Sequence, residues 1–176
     1  RVVRHALAQG YEQVHLVGYS MGGNLSLVYA GREAEQVPPQ VRSVVAFSVP
    51  CDLRSSAYQL AKWQNRVFMW KFLRDLKEKM TVKSQRFPHL VSVDGFDDIR
   101  TFKQFDDRYT APLHGFRDAE DYWTQSSSLR YLPALQIPTL LVNARNDPFL
   151  SPECFPEQLA AGHDYLHLEM PAGGGH

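Results

Sequence analysis

The strongest constraint on the fold comes from residues 18–22, which have the sequence Gly-Tyr-Ser-Met-Gly. An apolar, β-friendly run at residues 14–17 precedes them, and apolar residues at helical intervals follow. The segment matches the G-x-S-x-G pattern, in which a serine lies in a tight turn between a strand and a helix with its hydroxyl above the sheet. A glycine-rich turn with an incidental serine is the alternative. The flanking strand and helix favour Ser20 as a nucleophile.

The same motif makes two local predictions. Gly18 and Gly22 are expected to remove side chains that would collide where the strand and the helix approach each other. The helix that begins at Met21 directs its positive end at the reacting oxygen, so the Met21 backbone N–H is the expected oxyanion donor.

The chain contains four apolar runs with the character of strands. They lie at residues 14–17, 41–49, 139–144 and 165–170. Helical patterns separate them, which predicts β-α-β units and a mostly parallel sheet. The interval between the second and third runs is too long for a loop and is patterned mostly as helix. We therefore expect an α/β core at residues 1–50 and 136–176, with a helical cap insertion at residues 51–135.

An acid and a histidine follow the serine in the order that a Ser-His-Asp set on this kind of sheet requires. Asp147 comes after the run at 139–144, and His176 comes after the run at 165–170 and three glycines. A histidine that takes the serine proton, and an acid that orients this histidine, turn a weak nucleophile into a strong one. The alternatives are a plain Asn-Asp-Pro turn at Asp147 and an idle histidine at 176.

Other histidines compete for the role of base. His5 lies on the first predicted helix, His15 and His167 lie inside strands, and His163 precedes the last strand, so structural or solvated roles are expected for these four. His114 is the one rival, but a base on a mobile insertion would be poorly positioned.

The composition of the chain limits the kinds of binding partner that can be expected. Nineteen basic and nineteen acidic residues give a formal net charge of zero, which disfavours nucleic acid and other polyanions. No apolar stretch is long enough to span a membrane. Cys51 and Cys154 lack the spacing of a metal site or a disulfide framework, so we expect reduced thiols, no metal and a cytoplasmic protein. The first residue is not Met, and the chain is interpreted as a fragment.

Three segments resemble the YheT-like alpha/beta-hydrolase esterases. They are residues 18–24 around the serine, residues 144–149 around the acid, and the terminal Gly-Gly-His. Residues 105–122, with Phe-Asp-Asp, His-Gly-Phe and Asp-Tyr among them, resemble the family's signature before the acid strand. The resemblance implies a partial alpha/beta-hydrolase fold, with strands 5–8 and a helical cap, and implies Ser20, Asp147 and His176 as its triad.

The resemblance also implies an activity. A carboxylic-ester hydrolase without a cofactor is expected, acting on short- to medium-chain acyl or lipid-like esters. An acyltransferase and a non-catalytic protein that binds an acyl ligand are the alternatives. The family's second oxyanion donor comes from an upstream loop that this sequence does not contain. The first strand would then be an unpaired apolar edge, and the isolated chain should be poorly soluble and nearly inactive.

Two groups in the predicted cap invite a functional interpretation. Asp106, Asp107, Asp118 and Asp121 have no histidine at metal-ligand spacing, so we expect them to cap helices or to pair with Arg108 and Arg117. The aromatic residues Trp63, Phe68, Trp70 and Phe72 recur at helical intervals and are expected to form the core of the cap rather than an acyl pocket.

Overall fold

The computed structural model describes residues 1–176 and contains one sheet of four parallel strands. The strands are β1 (Val14–Tyr19), β2 (Val41–Phe47), β3 (Thr139–Val142) and β4 (Leu166–Glu169). Their order across the sheet is their order in the chain. Four strands with intervening helices confirm the predicted α/β class.

Eight α-helices accompany the sheet. They are α1 (Val2–Ala8), α2 (Met21–Arg32), α3 (Leu53–Leu60), α4 (Arg66–Arg86), α5 (Phe102–Phe105), α6 (Ala111–His114), α7 (Ala119–Ser126) and α8 (Glu157–Ala161). The helices α2 and α8 connect parallel strands, β1 to β2 and β3 to β4, as crossovers between parallel strands require.

The chain divides into two compact units. The core unit comprises Arg1–Leu53 and Ser126–His176, and the insertion unit comprises Arg54–Gln125. In the core unit, α2 packs on β1 and β2, with Leu27 and Ala30 buried against the sheet residues Val44 and Ala46. Burial of these apolar side chains is the main force that holds helix and sheet together.

The four strands end level with one another. Tyr19 pairs with Phe47, Phe47 with Val142, and Val142 with Glu169. Because the strands are parallel, the segments that follow these four residues all emerge at one edge of the sheet. The chain can therefore bring residues that are distant in sequence together at that edge.

The insertion unit has an apolar core of its own. Along α4, Met69, Leu73 and Met80 are buried and pack with Phe96 and Phe105. The predicted aromatic core is wrong for three of its four members: Trp63, Phe68 and Trp70 are exposed, and Phe72 is partly buried. These residues recur at helical intervals, but the buried side of α4 is the one that carries the two methionines and Leu73.

Candidate active site

Ser20 lies in a strained turn directly after β1. Its backbone has φ 50° and ψ −122°, a conformation that residues with a side chain rarely adopt. Its N–H donates to the carbonyl oxygen of Phe47 at 2.8 Å, and its own carbonyl accepts from the N–H of Asn24 at 3.1 Å. Neighbouring elements thus fix the residue from both sides, and α2 begins at the next residue.

Two of the three glycines of this turn lie where a side chain would not fit. A Cβ on Gly18 would lie 2.5 Å from the carbonyl oxygen of Gly22, as predicted. A Cβ on Gly22 itself would meet nothing within 4 Å, so the prediction for that residue is wrong. The close contact belongs to Gly23, where a Cβ would lie 2.5 Å from Cγ2 of Val49. The helix therefore approaches β2 through Gly23.

The structure brings Ser20, His176 and Asp147 into one chain of hydrogen bonds. His176 Nε2 lies 2.9 Å from Ser20 Oγ, and His176 Nδ1 lies 2.8 Å from Asp147 Oδ2. The Asp147 side chain is fully buried, and the imidazole is 22% exposed. Such an arrangement can pass a proton from a hydroxyl to an imidazole and stabilise the resulting cation.

The loops around the acid hold both partners. Asp147 uses its second oxygen, Oδ1, to accept from the N–H of Phe149 at 2.9 Å, so the carboxylate is fixed at both oxygens. The Phe149 ring lies 4.5 Å from the His176 ring, centroid to centroid. The N–H of Gly175 donates to Asn146 Oδ1 at 3.0 Å, which ties the histidine loop to the acid loop.

Met21 is the first residue of α2. Backbone N–H groups in the first turn of a helix have no partner within the helix, and they carry partial positive charge. The Met21 N–H can therefore donate a hydrogen bond to an oxygen that becomes negative next to Ser20. No second donor in the structure can be assigned to this position from the contacts of Ser20.

Two buried asparagines support the site, and the sequence analysis missed both. Asn143 follows β3; its Oδ1 accepts from the N–H of Val49 at 2.7 Å, and its Nδ2 donates to the carbonyls of Val49 and Cys154. Asn24 donates to the carbonyl of Ser126 and accepts from the N–H of Ser128. Asn143 follows a strand and Asn24 lies in the segment around the serine. Only the folded structure shows that their amides join segments that are distant in sequence.

Two of the other histidines of the core unit, His15 and His163, make hydrogen bonds away from Ser20. His163 Nδ1 accepts from the N–H groups of Tyr165 and Leu166 before β4. His15 Nδ1 lies 2.8 Å from Ser43 Oγ on the neighbouring strand. Structural roles account for both. His114 ends α6 in the insertion unit.

The acidic residues of the insertion unit make structural contacts. Asp106 accepts from Trp123 Nε1 at 2.8 Å and bonds Thr110 Oγ1 at 2.5 Å, and burial raises its pKa. Asp107 accepts from Lys103 Nζ and from the N–H of Ala119. Burial also raises the pKa of Tyr122 to about 12.

The helix-capping and pairing predictions are confirmed for the other two aspartates. Asp118 Oδ1 accepts from the N–H of Asp121 at the start of α7, and Asp121 pairs with Arg117 at 3.6 Å. Arg108 does not take the predicted role, because its guanidinium donates to the carbonyl of Asp94 and lies over the Tyr109 ring.

Both cysteine thiols are buried and unbridged, and burial raises the pKa of Cys51. None of the helices combines the length and the apolar character that a membrane crossing needs.

Comparison with known proteins places these features in context. A sequence profile described as alpha/beta hydrolase fold matches residues 7–173. The Escherichia coli (strain K12) protein YheT, whose name calls it an esterase, is 31% identical over 171 residues, which cover 95% of this chain and 49% of that protein. The monoacylglycerol lipase of Saccharomyces cerevisiae is 24% identical over 168 residues, covering 91% of this chain and 37% of the lipase.

A second yeast protein carries two activities in its name. The medium-chain fatty acid ethyl ester synthase/esterase 2 of Saccharomyces cerevisiae is 28% identical, over 80% of this chain and 36% of its own length. Among solved structures, the serine hydrolase CCSP0084 of Cycloclasticus zankles superposes with a TM-score of 0.53 at 19% identity, covering 96% of this chain and 59% of the hydrolase. The chain spans about half or less of the length of these curated relatives.

Proposed function

Because this chain belongs to the alpha/beta-hydrolase fold family, we propose that the protein hydrolyses carboxylic esters through an acyl-enzyme on Ser20. The observation that carries the proposal is the continuous hydrogen-bond chain from Ser20 Oγ through the His176 imidazole to the buried Asp147 carboxylate. The similarity to YheT and to a monoacylglycerol lipase supports the same class of reaction.

In the first half of the reaction, His176 Nε2 takes the hydroxyl proton of Ser20 while Oγ attacks the acyl carbon. Asp147 holds the imidazole with Nδ1–H directed at its carboxylate, so that Nε2 is the free acceptor. The imidazolium that forms is stabilised by the same carboxylate. It then gives its proton to the departing alcohol.

The carbonyl oxygen becomes negative when the acyl carbon is attacked. The Met21 N–H is the proposed donor to this oxygen, because the helix N-terminus adds a favourable dipole. In the second half, His176 activates a water molecule that attacks the acyl-enzyme and releases the acid. The whole cycle needs no metal or cofactor.

The proposed substrates are short- to medium-chain acyl esters or lipid-like esters. The names of the relatives support this range, since they include a monoacylglycerol lipase and a medium-chain ethyl ester synthase/esterase.

The test is hydrolysis of p-nitrophenyl esters of graded chain length by the full-length protein, together with labelling by a fluorophosphonate probe. Ser20→Ala should abolish labelling and lower turnover by about 10³-fold or more, because the triad acts as a unit. Ser26→Ala is the matched control, since the Ser26 hydroxyl donates to the carbonyl of Gly22 in the same helix and has no proposed part in catalysis. Retained esterase activity in Ser20→Ala would refute the assignment.

Acyl transfer to an alcohol is a second candidate, and the ethyl ester synthase activity in one relative's name favours it. The acyl-enzyme would be the same, and an alcohol would replace water in the second half of the reaction. Product analysis with an ester substrate and added ethanol separates the two, since a transferase forms the ethyl ester in preference to the free acid. A wild-type protein that the probe does not label would instead be an acyl-binding protein without turnover.

A further inference from the structure

A stripe of exposed apolar side chains runs along α4 and the short turn before it. Trp63, Val67 and Trp70 are spaced four and three residues apart, so they share one side of the helix. Their exposed fractions are 75%, 66% and 63%, whereas Met69 and Leu73 on another side are buried. Large apolar side chains that cluster in this way on a surface mark a binding surface.

The same region carries a strong local excess of positive charge. Residues 62–90 contain eight Lys and Arg residues and two acidic residues, although the whole chain is balanced at nineteen of each. Within this segment Asp75 pairs with Arg74 at 3.1 Å, and Asp97, which lies outside it, pairs with Lys77 at 2.6 Å. The exposed cation Lys71 makes no ion pair in the structure.

A groove of about 520 Å³ adjoins the stripe. Trp70 forms part of its lining, and the buried side chains of Phe96 and Ile99 contribute apolar surface to it. Arg66 and Arg100 also line it and place positive charge beside this apolar surface. The combination suits a molecule that presents acidic groups and apolar chains together.

We propose that this face of the insertion unit docks on the surface of a bilayer that contains anionic lipids. Tryptophan side chains are favoured at the level of lipid headgroups, and a helix with exposed Trp and Val among Lys and Arg has the composition of an interfacial helix. Each Lys or Arg near an anionic surface strengthens the attachment. A second copy of the chain is disfavoured as the occupant, because two such faces would bring like charges together.

The inference stands apart from the chemistry of Ser20 and does not require ester hydrolysis. If both hold, docking brings the enzyme to the surface where lipid-like esters reside. The two claims can fail separately, because a water-soluble p-nitrophenyl ester reports turnover without a membrane.

The test is flotation of the full-length protein with vesicles of phosphatidylcholine alone and of an equimolar mixture with phosphatidylserine. We expect the wild type to float with the mixed vesicles, and to be released by high salt because the attraction is partly electrostatic. The double variant Trp63→Ala/Trp70→Ala should lower the bound-to-free ratio about 10-fold or more. Arg66→Gln/Lys71→Gln should lower it by a similar factor.

Matched controls come from the core unit. Tyr11→Ala removes an aromatic side chain that is 64% exposed, and Arg32→Gln/Arg42→Gln removes two exposed cations; both should float like the wild type. All variants should hydrolyse the soluble ester at the wild-type rate. The proposal is overturned if the wild type does not float, if it binds both vesicle types equally, or if the tryptophan variant floats unchanged. It is also overturned if light scattering shows that the tryptophan variant dissociates a dimer, since a second copy would then be the occupant.

Discussion

Asp147 is held at both of its oxygens, one by His176 and one by the N–H of Phe149. The carboxylate can therefore neither rotate nor drift without breaking a hydrogen bond in a fully buried position. This constraint fixes which imidazole nitrogen faces Ser20. In the proposed mechanism, the direction of proton transfer depends on this carboxylate.

Replacing Asp147 with Asn tests this dependence. The amide would present N–H groups where the carboxylate accepts, so His176 would place its proton on Nε2 and lose its ability to act as base. We expect kcat on p-nitrophenyl esters to fall by roughly 10³- to 10⁴-fold, with a far-ultraviolet circular dichroism spectrum like that of the wild type. A turnover number close to the wild-type value would point to a different acid.

A second buried carboxylate, Asp106, predicts how the stability of the fold depends on pH. Its pKa is raised, so the folded state holds the proton more tightly than the unfolded state. Stability from this group is therefore present below the ordinary value of 3.8 and is lost as the pH rises through the raised folded-state pKa.

Asp106→Asn should remove that pH dependence. The amide oxygen can still accept from Trp123 Nε1, and the amide nitrogen can donate to Thr110 Oγ1, so both contacts survive. We expect the stability of the variant relative to the wild type to increase between pH 4 and neutral pH, as measured by urea unfolding at several pH values. A difference that stays constant or shrinks over this range would contradict the assignment.

At the scale of elements, the contact between α2 and β2 is set by Gly23. A methyl group at that position would overlap Cγ2 of Val49 at 2.5 Å and lie 3.2 Å from the carbonyl oxygen of Gly18. Gly23 therefore lies between the Gly18 backbone of the nucleophile turn and the buried side chain of Val49. A residue with a side chain at position 23 would therefore force these elements apart.

Gly23→Ala is expected to destabilise the protein by about 1–3 kcal/mol, because the helix must shift to relieve the overlap. Gly22→Ala is the matched control: nothing lies within 4 Å of its added methyl group, and alanine favours a helix, so stability should be unchanged or higher by up to about 1 kcal/mol. Urea unfolding of both variants measures the difference. Equal effects of the two substitutions would show that the packing contact does not limit the approach.

The sequence predicted the elements that place the site but not the packing between them. Four apolar runs and the glycine motif were enough to predict a parallel sheet with Ser20 after its first strand, because strand patterns depend on local composition. The second run was predicted to extend to residue 49, but pairing ends at Phe47, where Ser48 adopts φ 53°. A change of backbone direction at an ordinary serine leaves no mark in the hydropathy pattern.

Burial was the harder part of the prediction. Helical periodicity finds the faces of α4, yet it does not say which face the rest of the unit covers, so Trp63 and Trp70 were assigned to the core in error. Asn143 shows the same limit from the polar side. Its amide bonds the backbone of Val49, which is 94 residues away in the sequence. Only the folded chain brings these two residues together. The catalytic roles of Ser20, Asp147 and His176 stay predictions.

For the molecule as a whole, the first strand leaves apolar side chains exposed at one side of the sheet. β1 is an edge strand, and Val17 and Tyr19 are 57% and 68% exposed. An apolar edge with unpaired backbone groups is a site at which another chain can add. The 176-residue chain on its own should therefore self-associate.

Val17→Lys should raise the soluble fraction of this chain after expression, because a charged side chain on an edge strand discourages pairing with a second chain. Val2→Lys makes the same change of residue at a position on α1 that is also exposed. The two variants have equal net charge, so a comparison of their soluble fractions by ultracentrifugation isolates the edge. Equal improvement in both would attribute the effect to net charge alone.

The way the chain leaves and re-enters the core unit affects how freely the insertion unit can change in sequence and length. The chain leaves after Leu53 and returns at Ser126, and the two crossing points are fastened to each other: the N–H of Leu53 donates to Ser127 Oγ, and the N–H of Leu129 donates to the carbonyl of Cys51. An excursion with tethered ends can be lengthened, shortened or exchanged without pulling the strands apart. Chimeras that exchange the segment between these two points should therefore keep the four-stranded sheet and the hydrogen bonds that join Ser20, His176 and Asp147.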